Sequence, residues 1–461
     1  MKRKKVPEGF YPRVMSCAVP IMIQNGISML VGMLDNIMVG QIGTDAMSGV
    51  SIVNQLLFVY DLCIFGGYSG IGIFTAQFWG KKDMEGMRYT LRAKVLLGTI
   101  LTTLCIILLA CSSTRLISLF LHEGGSAGNI AVTLENADTY CKVMLWGLPA
   151  SAMAYVYSFT LRESGETMVP MKAGIAAVFV NLIGNYLLIY GKLGCPALGT
   201  AGAAIATVIS RFVEMGIVIL WTHSHKKEYP FIEKCYASLH IPSDLLKQFA
   251  IKGTPLLLNE TLWSSGMTVL MQCYSVRGLS TVAALNIANT LSNVFNVVFL
   301  AMGNATAILL GQELGAGHFD TIRAFANKLI WFSVFLSCLS AAAMFSTAPF
   351  FPRIYNTDPD VMVLAKDFLW ISSLLMPMNA FNNCCYFTLR SGGKTFITFL
   401  FDCCFSWVVL VPAAFVLSRF TSIPAVPMYF IVQSLEILKS FIGFALVRKG
   451  TWIHDLTSYQ A

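Results

Sequence analysis

The chain is a succession of long apolar stretches separated by short polar ones. Windows of about 20 apolar residues, the length a helix needs to cross a bilayer, predict twelve helices. Six fall at 14–39, 48–78, 92–112, 137–159, 170–190 and 199–222. Six more fall at 253–275, 282–312, 327–348, 364–388, 396–417 and 425–447. The longest polar stretch, His223 to Lys252, separates the two sets. The pattern predicts an all-α integral membrane protein: a tail (1–13), a six-helix lobe (14–222), a linker (223–250), a second six-helix lobe (251–447) and a second tail (448–461).

The two sets repeat one another. Pro20, Gly43, Asn54, Gln77, Gly80 and Arg88 recur as Pro255, Gly278, Asn289, Gln312, Gly315 and Arg323, all at an offset of 235 residues. A second block recurs at an offset of 228: Pro149 as Pro377, and Phe159-Thr160-Leu161-Arg162 as Phe387-Thr388-Leu389-Arg390. The matches fall on Pro, Gly, amides and Arg rather than on common apolar residues. With six helices in each half, both halves enter the membrane the same way round. The expectation is a parallel internal repeat, two bundles related by a pseudo-twofold axis along the membrane normal.

Composition agrees. The chain has 461 residues, 56% hydrophobic and 12% charged, against about 25% charged in soluble domains. The opening Met-Lys-Arg-Lys-Lys followed by an apolar run has the outline of a signal peptide. That run is too long for one, contains Asp35 and lacks a small-residue cleavage site, so it reads as a retained first helix. The net charge of +8 is explained by topology rather than by nucleic acid. Lys2 to Lys5, Arg13, Lys81, Lys82, Arg88, Arg92, Lys94, Lys226, Lys227, Arg323, Lys328, Arg390, Arg448 and Lys449 fall on one side, and few basic residues fall on the other. Positive charge stays inside, so both termini are expected in the cytoplasm and the protein in the cell membrane. The thirteen cysteines form no CxxC pair and no Cys/His metal spacing, and read as small apolar residues.

Polar groups within the apolar runs carry the chemistry, because a carboxylate at membrane depth costs roughly 2.5–3.5 kcal/mol. Asp35 stands inside the first run. Its functional reading is a proton or cation site; its structural reading is an acid tied up by amides. Asn181 and Asn185 share one face of the fifth helix at i, i+4, and the sixth opens Gly-Thr-Ala-Gly and carries Thr207. Its small residues permit close helix approach. Asp35, Asn181, Asn185 and Thr207 are thus a candidate ion-coupling site, with Asp35, Asn181 and Thr207 as candidate Na⁺ ligands. Oxygen ligands suit Na⁺ and a desolvated acid suits H⁺. Glu260, beside Asn259, is the acid of the seventh helix and a further candidate ion-coupling residue. Asn286, Asn289, Asn293 and Asn296 line one face of the eighth, and Asn54 and Asp61 lie on the corresponding second helix. With Asn379 and Asn382 of the tenth, these are the candidate substrate cavity; the alternative is interhelical amide glue. Arg211 with Glu214, and Glu436 with Lys439, are spaced i, i+3 and read as buried structural ion pairs. Pro20, Pro149, Pro170, Pro255, Pro377 and Pro412, with Gly66, Gly67, Gly70 and Gly72, are candidate bending points.

Several stretches resemble one family. Leu34-Asp35-Asn36-Ile37-Met38-Val39-Gly40-Gln41-Ile42-Gly43 is similar to the first-helix signature of the multidrug and toxic compound extrusion (MATE) transporters. Pro255 with Glu260, Gly311-Gln312-Glu313-Leu314-Gly315-Ala316-Gly317, Leu389-Arg390-Ser391-Gly392-Gly393 and the run ending Ala206-Thr207-Val208-Ile209-Ser210-Arg211 resemble it in matching order. The resemblance implies a V-shaped two-lobed bundle that exports cationic, amphipathic organic compounds by antiport with H⁺ or Na⁺. It implies an ion site at Asp35, Asn181 and Thr207, and a second-half acid at Glu260. Asn185 stands where some bacterial members place an acid, and amides stand where some place an acid on the tenth helix.

The expected protein is a secondary-active multidrug exporter, with no cofactor beyond its coupling ion, acting as a monomer in the bilayer on small cationic organic substrates, with no nucleic acid. The alternative is a flippase of lipid-linked oligosaccharides or other lipids on the same broad fold. Flippases of that kind favour arginines in the central cavity, whereas Arg211 and Lys439 each have an acid three residues away. An embedded enzyme would need an acid pair, an HExxH or a Ser/His arrangement at depth, and all six histidines fall in loops or the tail. An ATP-driven pump would need a GxxxxGK[ST] loop, which is absent.

Overall fold

The computed structural model describes residues 9–120, 129–355 and 357–457. Lys2 to Lys5 and residues 458–461 of the expected tails lie outside the described residues. Among the described residues the chain is helical with no strand. The helices are α1 (Phe10–Gly40), α2 (Thr44–Lys81), α3 (Met84–Ser118), α4 (130–163), α5 (Met168–Tyr190), α6 (Thr200–Ser224), α7 (Ser243–Ser275), α8 (Leu279–Gly315), α9 (Ile322–Thr347), α10 (Pro359–Ser391), α11 (Thr395–Phe420) and α12 (Ala425–Lys449). Ten are long and apolar enough to cross a membrane. The other two are α4 and α7. The first is split by a 3-10 turn at Leu145–Gly147, where Pro149 follows. The second carries Thr254, Asn259, Glu260, Thr261, Ser264 and Ser265 along one continuous helix. Most helices run past the predicted spans at one or both ends, because α-helical hydrogen bonding continues into the polar interface where hydropathy has already faded.

The chain divides into two compact units. One comprises Ile23–Thr75 and Met84–Leu246; the other comprises the chain from Lys247 onward together with the residues up to Met22 and Ala76–Asp83. In the first unit, α5 and α6 lie backbone to backbone. A Cβ on Gly202 would come 2.4 Å from the Leu188 carbonyl oxygen, and one on Gly184 would meet the Ala206 Cβ at 2.8 Å. Gly67 and Gly72 of α2 also serve close packing. The helix is continuous through them, and a Cβ on Gly72 would lie 2.0 Å from Glu163 Oε1. Lys94, counted above among the cytoplasmic charges, is wholly buried, ion-paired to Glu163 and 3.2 Å from the Thr160 hydroxyl. The linker docks on α3. Arg92 donates to the carbonyl oxygens of Cys235 (2.7 Å), His240 (2.9 Å) and Lys234 (3.3 Å), and Arg88 donates to that of Pro230 (3.3 Å). Burial pushes the Cys235 thiol up to about 11. A maleimide should therefore label it roughly a hundredfold more slowly at pH 7.5 than a thiol of ordinary pKa near 9; a rate equal to that of an exposed cysteine would show that the linker lifts away.

In the second unit, a core of Leu270, Ala288, Met344, Phe368, Ala380 and Met428 joins α7 to α12. Its repeat-related glycines meet at one crossing. A Cβ on Gly80 would fall 2.0 Å from the Gln312 carbonyl oxygen, and one on Gly315 would fall 1.9 Å from that of Gln77. Each partner of one contact is the repeat equivalent of the other. Backbone cannot yield as a side chain does, so Gly80→Ala and Gly315→Ala should each lose stability at or above the upper end of the roughly 1–3 kcal/mol cost of overpacking. Thermal unfolding in detergent checks this; an unchanged Tm would mean that the helices part there at little cost.

α11 departs from regular geometry. Leu400–Cys404 and Ser406–Leu410 are wider, π-helical turns, a feature that concentrates at functional sites. Pro412, just beyond, has no N–H to return to the preceding turn. Asp402 projects from the first of these turns.

Candidate functional site

Close packing of α5 on α6 builds the site of the first unit. It sets Asn181 3.0 Å from the Thr207 hydroxyl and leaves both α5 asparagines buried, at 5% and 1% exposure. Asp35, near the end of α1, reaches this pair. Asn185 Nδ2 donates to Asp35 Oδ1 at 2.6 Å. With the Asn181 amide oriented to satisfy both neighbours, its NH₂ donates to Asp35 Oδ1 at 2.8 Å and its oxygen accepts from Thr207 at 3.0 Å. The four residues expected together are together. Among the described residues, the hydrogen bonds to Asp35 all come from neutral amides and the carboxylate carries no direct ion pair. Asn185 Oδ1 is buried without a hydrogen-bond partner among the described residues. A carboxylate beside an orphaned amide oxygen and a hydroxyl is a donor set that fits a proton or a hard monovalent cation.

Around this centre lies a second layer. Tyr140 of α4 donates to Asn54 Oδ1 at 3.3 Å. Asp61 faces the Tyr155 hydroxyl and the Arg211 guanidinium. Arg211 binds Glu214 at 2.9 Å, yet its charge also acts on Asp35 and Asp61. The i, i+3 pair is therefore the anchored end of a larger electrostatic group: three carboxylates and one guanidinium.

Glu260 belongs to the other unit and heads a separate cluster. It faces Asn259, Arg390 and Asp402. Asn259 Nδ2 donates to Asp402 Oδ2 at 3.1 Å. Lys439 bridges Asp402 (2.7 Å) and Glu436 (3.5 Å). Asn382 is committed to this cluster, donating to Glu436 Oε2 at 3.2 Å and accepting from Ser440 at 2.8 Å, so it faces α12 and not an open cavity. Asn379 is half-buried on the same helix, and Asn286, Asn289 and Asn293 form an exposed face of α8.

The sequence reading passed over Asp402, lodged in an apolar run, and saw Lys439 only with its helical neighbour. One signal was present. Lys439 stands 228 residues after Arg211, the same offset that relates Arg162 to Arg390. Each half thus places a basic residue at the same point of its last helix, facing acids on other helices.

A repeated set of membrane-length helices, with carboxylate clusters buried among neutral amides and fixed cations, defines a polytopic membrane transporter. The match to the MatE family, over residues 20–187 and 255–416, places the chain: it belongs to the multidrug and toxic compound extrusion family. Among relatives, it is 24% identical over 452 residues to the probable multidrug resistance protein NorM of Thermotoga maritima, covering 98% of this chain and 95% of that protein. It is 25% identical over 435 residues to the probable multidrug resistance protein YoeA of Bacillus subtilis, covering 92% and 88%. The fold is similar to an outward-facing multidrug resistance MATE family transporter of the MOP superfamily, with TM-score 0.83, 18% identity and coverage of 97% and 98%. A MATE transporter of Vibrio cholerae is similar with TM-score 0.85, at the same identity, covering 96% and 98%.

Proposed function

We propose that the chain is a secondary-active exporter of small organic, cationic or amphipathic compounds, driven by inward H⁺ or Na⁺ through Asp35. The observation that carries this reading is the Asp35 carboxylate: set in an apolar span and, among the described residues, hydrogen-bonded by neutral amides alone, beside an Asn185 oxygen that has no partner among them. Such a group is costly to keep charged and has room for one more positive partner. The names of the relatives, multidrug resistance proteins, support the substrate class. We read 14–222 and 251–447 as the two lobes, both termini as cytoplasmic, the cell membrane as the location and the monomer as the working unit.

A gradient drives transport only if the ion binds the two end states with different affinity. A proton or Na⁺ reaching Asp35 cancels its negative charge. Arg211 is then left to Asp61 and Glu214, and the balance that held α1 against α5 and α6 changes. A cationic substrate loses an anion to bind, so ion entry favours its release. Asn54, Asp61 and the exposed α8 asparagines supply polar contacts in the same reading.

The test is dye transport in proteoliposomes with H⁺ and Na⁺ gradients imposed separately. Ethidium movement driven by one gradient and abolished by its collapse is the expected result. No movement under either gradient, from folded protein, would overturn the reading and favour lipid translocation.

A further inference from the structure

The second unit contains a cavity of about 250 Å³ that the transport reading does not use. α9 and α12 each pack against α10 and leave a cleft between them. Phe381 and Cys385 of α10 form its floor. Trp331 of α9 and Phe444 of α12 form its walls and remain 64% and 50% exposed. In a membrane-spanning bundle, large exposed aromatics face acyl chains. At one end stand two arginines: Arg323, in the first turn of α9, and Arg448, in the last turn of α12. That end is closed by Trp452, which is fully buried.

Neither arginine forms an ion pair with any described carboxylate. Arg323 instead lies against the backbone of Gly450, where a Cβ would come 2.1 Å from Nη2. Its repeat equivalent behaves differently. Arg88, at the offset of 235, and Arg92, whose equivalent is Asn327, are covered by linker carbonyls. The linker follows α6 and folds back over α3. After α12 the described chain instead runs to Gln77 and Lys81, where Leu456 N meets Gln77 Oε1 at 2.8 Å and Lys81 reaches the Thr457 carbonyl at 3.3 Å. The first half fills this position with its own carbonyl oxygens; the second leaves two guanidinium groups over an apolar cleft.

From this geometry we infer that the cleft binds an anionic glycerophospholipid of the leaflet at the Lys/Arg-rich end of the bundle. The phosphate pairs with Arg323 and Arg448, Asn327 donates to the headgroup or glycerol oxygens, and one acyl chain lies along Trp331 and Phe444. The two charges at interfacial depth supply headgroup preference, as in other basic pockets between spanning helices. The planar guanidinium suits phosphate oxygens. The aromatic walls below them select a lipid over a free anion, because only a lipid covers both surfaces at once.

The experiment is native mass spectrometry of the full-length protein released from detergent, titrated with phosphatidylglycerol or phosphatidylcholine of identical chains. Phosphatidylglycerol adducts are expected to persist where phosphatidylcholine adducts are lost. Arg323→Ala with Arg448→Ala should weaken phosphatidylglycerol by about tenfold or more and leave phosphatidylcholine unchanged, while Arg323→Lys with Arg448→Lys retains most of the preference. Inorganic phosphate at matched concentration should neither bind nor compete. Equal retention of the two lipids by the wild type overturns the inference. So does an unchanged phosphatidylglycerol affinity in the double alanine variant, or displacement by inorganic phosphate, which would mark a free-anion site. If the alanine pair fails to fold by size exclusion, the wild-type headgroup ranking decides alone.

Discussion

Asp35→Asn protein reaches the membrane folded and moves no substrate under either gradient. The substitution keeps the shape of the side chain. It removes the one group in the Asp35, Asn181, Asn185 and Thr207 cluster that takes up a proton or balances a cation. An amide in place of the carboxylate also spares the roughly 2.5–3.5 kcal/mol cost of an acid at membrane depth, so stability should hold or rise. Initial rates of ethidium transport in proteoliposomes should fall to the background of protein-free vesicles, with Tm unchanged or higher. Asn181→Ala removes a donor to Asp35 without removing the charge. Transport should there be weakened and not lost. Undiminished gradient-driven transport by Asp35→Asn would move the coupling group elsewhere, with the Glu260 cluster as the next place to look.

Lys439→Ala should destabilise the second unit by about 3–5 kcal/mol, the usual cost of removing one partner from a buried ion pair. The lysine side chain is 8% exposed and its two acids, Asp402 and Glu436, are 20% and 12% exposed. Deleting the ammonium leaves two neighbouring carboxylates with Asn259, Asn382 and no bridging cation. The measurement is thermal unfolding in detergent, with the double variant Lys439→Ala, Asp402→Asn as control. The control should recover a substantial part of the loss, because it removes an acid along with its cation. Equal Tm values for the two variants would show that packing of the lysine stem, not charge, was lost.

Asp35 was legible in the sequence because a charged side chain in an apolar run is conspicuous one residue at a time. Its companions were legible through helical spacing: Asn181 and Asn185 at i, i+4, and small residues opening α6. Asp402 was equally out of place in its run. It escaped notice because nothing near it in sequence completed a pattern; its partners, Asn259 and Lys439, are 143 and 37 residues away. Arg211 and Lys439 were assigned to the acids one helical turn away because spacing reports only neighbours on the same helix. The wider groups, with Asp61 and Tyr155 around one and Asp402 around the other, join helices distant along the chain. Lys94 shows the same limit. Its charge suggests an exposed helix end, and only the return of α4 past α3 supplies Glu163.

Hydropathy and the repeat determine a great deal here. They establish that the chain is helical and membrane-spanning, that its halves are copies, and that Asp35 stands within an apolar run, because the bilayer penalises each unsatisfied polar group independently of its partners. The tertiary structure decides which polar groups meet. It pairs Asn185 with Asp35, sets Asp402 between Asn259 and Lys439, and leaves Arg323 and Arg448 over a cleft, whereas Arg88, the first-half counterpart of Arg323, is covered by the linker. The reason is physical: burial cost is a property of one side chain in its solvent, whereas a hydrogen bond or ion pair is a property of two, and only the packing of helices far apart in sequence brings the second within reach.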